Sequence, residues 1–291
     1  MATALTGDDK DLGGFSVSRI LPHRDKKMVG PFIFFDHIGP AHFAAGEGIN
    51  VRPHPHIGLA TVTYLFSGSM LHHDSLGSVQ EIFPGDVNWM TAGHGIVHSE
   101  RETMEVRSQP HPLHGLQLWV ALPPEHEATE PGFQHVSKTQ LPCIYQPGLM
   151  MRLIAGEAYG RSSQVRTFSP MFYLDAIADK GTALAHPDTS MEAAVFIITG
   201  ALNIAGNRYI AGDFVLLDAG DGEITADENS RFVLLGGKKF DRVPYINWNF
   251  VAYDRATIDA ARDRWNKGEF PAVPGDDLEH IPLPTSKPVN L

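Results

Sequence analysis

Two short segments carry the strongest chemical signal in the chain. Arg52-Pro53-His54-Pro55-His56-Ile57-Gly58 places two imidazoles two residues apart, and Gly93-His94-Gly95-Ile96-Val97-His98-Ser99-Glu100 repeats that spacing with an imidazole and a carboxylate. In an extended chain, residues i and i+2 point to one side. Two such pairs on neighbouring antiparallel strands, about 5 Å apart, would bring His54, His56, His98 and Glu100 to one point, where bonds of about 2 Å could hold a single ion. Three nitrogens and one oxygen suit Fe, Mn, Ni, Cu or Zn, and the nearest pattern among oxygen-using enzymes is the two-His-one-carboxylate iron site with open positions. One Fe(II) per chain is therefore the expected metal.

The histidine count supports a metal reading. The chain holds 15, and eleven of them fall between His37 and His126, dispersed through apolar sequence and not gathered in a tract. His94, set between two glycines beside the proposed ligands, is a candidate pocket residue. His72, His73, His111, His114 and His126 read as surface or core polar residues, one of which could hydrogen-bond a ligand imidazole.

Strands must position these groups. Leu59 to Phe66 is a β-branched and aromatic run ended by Ser67-Gly68, and Glu81-Ile82-Phe83 leads through the turn Pro84-Gly85-Asp86 into Val87 to Met90 and Thr91-Ala92-Gly93. Many short strands with turn residues between them predict an all-β sandwich or barrel. The same grammar returns later, with Ala194 to Thr199 ended by Gly200 and Gly212-Asp213 leading through Phe214 to Leu217 into Ala219-Gly220. Seven residues separate Asp86 from Gly93 and seven separate Asp213 from Gly220, which points to a duplicated barrel. Pro-rich sequence around Pro123-Pro124, Pro131 and Pro142 places the boundary between 122 and 150. Asp254 caps an expected helix through Ala256, Ile258, Ala260, Ala261 and Trp265 that stops near Gly268. A Pro-rich extended tail follows.

Composition narrows the function. The chain has 291 residues, 43% apolar and 20% charged, and a net charge of −11, which argues against a broad phosphate-neutralising surface and hence against direct nucleic-acid binding. There is no apolar run of about 18 residues for a membrane span and no secretory signal at the acidic N-terminus. A single cysteine, Cys143, excludes an internal disulfide and any thiolate metal site. Cytoplasmic location is the expectation.

At these residues the chain resembles the pirin family of the cupin superfamily. The resemblance rests on Phe34-Phe35-Asp36-His37, His54-Pro55-His56-Ile57-Gly58, Pro84 through Gly93, Gly95-Ile96-Val97-His98-Ser99-Glu100, Gln117-Leu118-Trp119-Val120 with Leu122-Pro123, and Trp265 through Pro271 with Pro274-Gly275-Asp276. It implies a bicupin of two β-barrel or jelly-roll lobes with a short C-terminal helix and extended tail. The expected division is 1–135 for a metal-bearing lobe, 136–250 for a metal-free lobe, and 251–291 for the helix and tail packing on the lobes. The family's ligand pattern falls on His54, His56, His98 and Glu100. The chain carries His94 where many relatives have Arg, and Ala121 where Asn is common, which bears on substrate and not on metal.

In the second lobe, counting from Gly200 and Asp213 carries the quartet onto His186, Asp188, Thr225 and Asp227, with one imidazole. An eroded site is expected there. What the resemblance implies for activity is a dioxygenase that opens quercetin or a related flavonol with O2 and releases CO. Glu100 would serve as base, with Phe34, Trp89, Met90 and His94 at the pocket. A small aromatic substrate and O2 are the expected partners, and the chain is expected to be a monomer. The alternative is a metal-dependent co-regulator of transcription acting through protein partners. A third reading keeps the ligands in a cupin isomerase or hydrolase that does not use O2.

Overall fold

The computed structural model describes residues 2–11 and 15–284. It is all-β, with one helix of length, Arg255–Asn266. The chain divides into two compact units that interleave in sequence. One comprises residues 8–24, 33–138 and 242–291, and the other residues 1–7, 25–32 and 139–241. Two cupin-type lobes with a short C-terminal helix are thus present.

In the first of these units, a seven-stranded antiparallel sheet runs in the order Gly132–Val136, Val87–Thr91, Leu59–Ser67, His111–Ala121, Phe32–Phe43, Ser16–Leu21, Asp8–Asp11. A four-stranded sheet has the order Val51–His56, Ile96–Arg101, Met70–Asp74, Val79–Ile82. An apolar cluster that includes Phe15, Val17, Ile38, Leu65, Met70 and Leu113 fills part of the interior. Val51–His56 is an edge strand, which explains its prolines. Pro53 and Pro55 alternate with His54 and His56, and proline lacks the N–H that a central strand must donate. The free side of this edge is covered by the tail, whose Ile281 N–H donates to the carbonyl of Pro53 (2.9 Å).

The helix starts where the sequence places it. The Asp254 carboxylate accepts from the N–H of Ala256 (3.0 Å), and Ile258 and Ala261, three residues apart on one face, are buried. They join Ile57, Val97, Phe250 and Phe270 in a small core beneath the ligand strands.

The other unit has an eight-stranded sheet built on Glu192–Thr199, Ser230–Gly237, Met171–Ala178 and Leu149–Ala158, and a four-stranded sheet of Ala183–Leu184, Ile224–Ala226, Ala201–Ile204 and Asn207–Ile210. Thr3–Leu5 adds to the larger sheet by pairing with Phe214–Leu217, which assigns the N-terminus to this unit. Its pairing repeats that of the first unit. Leu59–Ser67 pairs with Val87–Thr91 and His111–Ala121 as Glu192–Thr199 pairs with Phe214–Leu217 and Ser230–Gly237. Ile96–Arg101 lies between Val51–His56 and Met70–Asp74 as Ile224–Ala226 lies between Ala183–Leu184 and Ala201–Ile204. The duplication is therefore structural.

Gly68 and Gly200 occupy the same turn in the two units, at φ +80° and +83°. A Cβ would meet the Pro112 carbonyl oxygen at 2.3 Å at the first and the Asn229 carbonyl oxygen at 2.5 Å at the second. Gly68→Ala and Gly200→Ala should each cost roughly 2–4 kcal/mol, from the left-handed backbone and the clash together. Gly77→Ala, at φ +87° but facing open space, should cost only about 1 kcal/mol. Denaturant unfolding of the three variants checks the ranking.

Candidate metal centre

The two ligand strands are antiparallel neighbours, with His98 opposite His54 and Ile96 opposite His56. Alternation then turns all three imidazoles to one side. His54, His56 and His98 each offer a ring nitrogen within 4.8 Å of the others, and all three are buried; no other such group exists among the described residues. The Nε2 atoms of His56 and His98 are 3.1 Å apart. Two adjacent ligands, each about 2.1 Å from a shared ion, would be separated by roughly 3 Å.

The protonation states also suit a metal. Burial pushes His54 down to about 4, against a smaller upward effect of its backbone hydrogen bond. Burial likewise holds His56 and His98 well below 6.5, with neighbouring imidazoles adding to it. All three rings are neutral at pH 7 and present lone pairs. His54 Nδ1 lies 2.9 Å from the carbonyl of Arg52, and donation to that oxygen assigns the proton to Nδ1 and leaves Nε2 free. The Nδ1 of His56 is buried beside the backbone of Asn249 without a hydrogen bond of normal geometry. The donor set fits one divalent ion.

Glu100 is buried on the same strand but does not belong to the three-imidazole group. The pairing with Val51–His56 shifts between His98 and Glu100, so Glu100 faces Val51 where regular register would give Arg52. Such bulges re-aim side chains. Its carboxyl instead lies within hydrogen-bonding reach of the Thr63 hydroxyl and the Gln117 amide, which are joined to each other by the Thr63 hydroxyl donating to Gln117 Oε1 (2.8 Å). Burial raises Glu100 to about 7, and those hydrogen bonds only partly oppose it.

The pocket candidates separate by face. Thr61 stands opposite Met90 and Trp119, and Thr63 opposite Asn88 and Gln117, so these six residues share the face toward the site. Phe34 stacks flat on Trp119 at 4.0 Å, and Trp119 meets His56 edge-on at 5.2 Å. Phe34 and Met90 therefore lie on the site's side. Trp89 stands opposite Val62 on the other face of the sheet. His94 is at the surface with its Nε2 3.2 Å from the exposed Glu130.

Sequence reasoning missed Trp119 as a wall, the Thr63–Gln117 pair, and the contact of His72 with a ligand. His72 Nδ1 is 3.4 Å from His98 Nδ1, and its Nε2 is 2.9 Å from Asp74 Oδ2. Alternation along His111–Ala121 puts Gln117 and Trp119 on one face; only the register says which face that is.

In the other unit the quartet does not assemble. Thr225 pairs with Ala183, so the count that carried His54 onto His186 runs three residues past the strand partner (186 against 183). Asp188 is half-buried in a loop, donating its N–H to His186 Nδ1 (3.1 Å), and Asp227 lies 3.7 Å from Arg208. The equivalents of the ligand strands are also short, two and three residues against six and six.

Sequence profiles described as Pirin and as Pirin C-terminal cupin domain match residues 14–120 and 173–271. A pirin-like protein of Caulobacter vibrioides is 43% identical over 94% of this chain and 96% of its own. A Pseudomonas aeruginosa protein named provisionally as a quercetin 2,3-dioxygenase is 38% identical over 94% of this chain and 87% of its own. The crystal structure of quercetin 2,3-dioxygenase from Acinetobacter baumannii superposes with a TM-score of 0.89 at 34% identity, covering 98% of this chain and 96% of that one.

The depressed histidines make stability depend on pH. Their folded values lie below the unfolded value of 6.5, so as pH falls below it the unfolded chain binds protons that the folded site refuses, and stability drops toward about pH 4. Glu100, raised to about 7, acts in the opposite sense, gaining stability as pH falls through 7 toward 4.5. Three imidazoles against one carboxyl leave a net loss. His37, held at about 4 by burial and by His114, adds a slope unrelated to the site. Denaturant unfolding of metal-free protein between about pH 7.5 and about pH 5 should therefore show falling stability, and His54→Asn should flatten the curve by up to about 2 kcal/mol. An unchanged slope in that variant would contradict the neutral, buried assignment.

Proposed function

The chain belongs to the pirin family, and on that premise we propose that it is a mononuclear iron-dependent dioxygenase that cleaves quercetin or a related flavonol with O2 and releases CO. The observation that carries this is the set of three neutral, buried imidazoles converging from two adjacent strands. The names and structure of its relatives give the reaction class.

His54, His56 and His98 would hold the ion through Nε2. When bound, a divalent ion supplies a Lewis-acid contact for the flavonol 3-hydroxyl and 4-carbonyl oxygens and a contact for O2. The rest falls to the protein. Phe34 and Trp119 form a flat aromatic wall reaching His56, suited to a planar ring, with Met90 on the same face. Glu100, held by Thr63 and Gln117 and poised near neutrality, accepts the proton of the 3-hydroxyl. Burial of the three imidazoles, Glu100 and the aromatic wall keeps water from competing for the same contacts.

Glu100→Gln should keep about one ion per chain while losing at least about 100-fold in turnover. The assay follows flavonol absorbance and CO release in air and under anaerobic conditions. Turnover at the wild-type rate would remove Glu100 from the base role. Stoichiometric iron with no turnover of any flavonol would move the reading to a metal-dependent interaction protein.

A further inference from the structure

We propose that His72 and Asp74 are positioning residues of the metal centre, forming a carboxylate–imidazole–imidazole chain that fixes the tautomer and ring orientation of His98. This rests on the metal-site reading above and extends it to two residues that do not belong to the ligand group.

The chain is set by strand register. Met70–Asp74 flanks Ile96–Arg101 on the side away from Val51–His56, with Asp74 opposite His98 and His72 opposite Glu100. Asp74 is fully buried, and its Oδ1 accepts from the backbone N–H of Leu76 (2.9 Å) and Ser78 (3.0 Å). Those two bonds fix the carboxylate. Its Oδ2 lies 2.9 Å from His72 Nε2, and a carboxylate can only accept, so the His72 proton is on Nε2. In the neutral imidazole, which carries one proton, His72 Nδ1 is then an acceptor. Facing it at 3.4 Å is His98 Nδ1, which must carry the proton of that contact. His98 Nε2 is left with a lone pair, and this is the atom that meets His56 Nε2 at 3.1 Å. The His72 ring is also held by its face, stacked on Phe133 at 4.3 Å and 11°.

His54 achieves the same tautomer differently. Its Nδ1 donates to a main-chain oxygen, that of Arg52, which no substitution removes. His98 depends on two side chains. Outer partners of this type commonly change metal affinity 10–100-fold when removed.

The substitution Asp74→Asn tests the proton assignment. The amide oxygen can keep the Leu76 and Ser78 bonds, which turns the amide N–H toward His72 Nε2. His72 then accepts at Nε2 and carries its proton on Nδ1, facing the Nδ1–H of His98. Relief of that conflict moves the His98 proton to Nε2, where it blocks the metal. His72→Phe removes the acceptor while keeping a ring to stack on Phe133, and stands independently if the Asp74 variant fails to fold.

The probe is Co(II), titrated anaerobically against a chelator, with ring nitrogen NMR of the metal-free proteins. Both variants should lose 10–100-fold in Co(II) affinity. In Asp74→Asn the His98 proton should appear on Nε2, a change that loosened packing alone would not produce. Combining the two substitutions should lose no more than His72→Phe alone, because Asp74 acts only through His72. Wild-type affinity in both variants, multiplying losses, or an unchanged His98 tautomer would overturn the proposal. Should His54→Ala abolish Co(II) binding while both variants bind normally, this proposal alone falls. If the wild-type protein binds no Co(II), the metal-centre reading falls with it.

Discussion

The pairing of Ile96–Arg101 against Val51–His56, with His98 directly opposite His54, is the constraint on which the site depends. A one-residue slip would turn the side chains of one strand to the other face and scatter the imidazoles. Several features hold that register. Prolines at 53 and 55 prevent the strand from taking a central place, and the tail closes its open edge through Ile281. From the other side, Met70–Asp74 pairs with Ile96–Arg101 in regular register through Asp74, His73, His72 and Leu71. The ligand strand is therefore fixed on both flanks.

Burying three imidazoles has a cost that the fold handles by keeping them uncharged. Desolvation is the largest influence on each ring, and it favours the neutral form. The same burial acts on Glu100 with the opposite result, favouring the protonated carboxyl. One physical cause thus prepares both kinds of group, lone pairs for an ion and a carboxyl that titrates near neutrality. The duplicated unit shows what happens when the geometry is relaxed. Its strand order is intact, but the strands equivalent to the ligand pair are only Ala183–Leu184 and Ile224–Ala226, and the first is too short to present two alternate side chains to one point.

The sequence was most informative where chemistry follows from alternation within a strand. The i, i+2 rule paired His54 with His56 and His98 with Glu100 from spacing alone, and bringing the two pairs together needed only the further expectation that their strands are antiparallel neighbours. Turn glycines and the Asp254 cap were readable for the same local reason. The departures involve register. Glu100 shares the spacing of His98 but lies past a shift in pairing, which no local pattern announces. Trp89 and Met90 are adjacent and similarly apolar, and only their partners Val62 and Thr61 decide which one faces the site. His72 and Asp74 sit 26 and 24 residues from His98 (98 less 72 and 98 less 74), so their role needed the hairpin to be folded first. His186 was misplaced by a count that assumed equal connections in both units.

Strand placement and ring placement are separate problems, and the structure solves them with different residues. Ser99 and Arg101 alternate with His98 and Glu100 and engage the tail, where the Asp276 carboxylate accepts from Ser99 (2.6 Å) and twice from Arg101 (2.7 Å each). Burial would raise the Asp276 value, but these hydrogen bonds outweigh it and hold it below the ordinary aspartate range. Charge-assisted bonds of this kind contribute about 1.5–3 kcal/mol each at most, less here because Arg101 is partly exposed to solvent. That tie fixes the backbone of the ligand strand. It cannot choose which nitrogen of His98 bears a proton, because a ring can still rotate about its last torsion with Cα and Cβ held in place. For His54 that freedom ends at its own strand's carbonyl, and for His98 it ends at a neighbouring imidazole whose own proton is dictated by a buried carboxylate. The coordination-ready state is thus encoded partly in the backbone and partly in side chains, and only the second part can be tuned by substitution without disturbing the ladder.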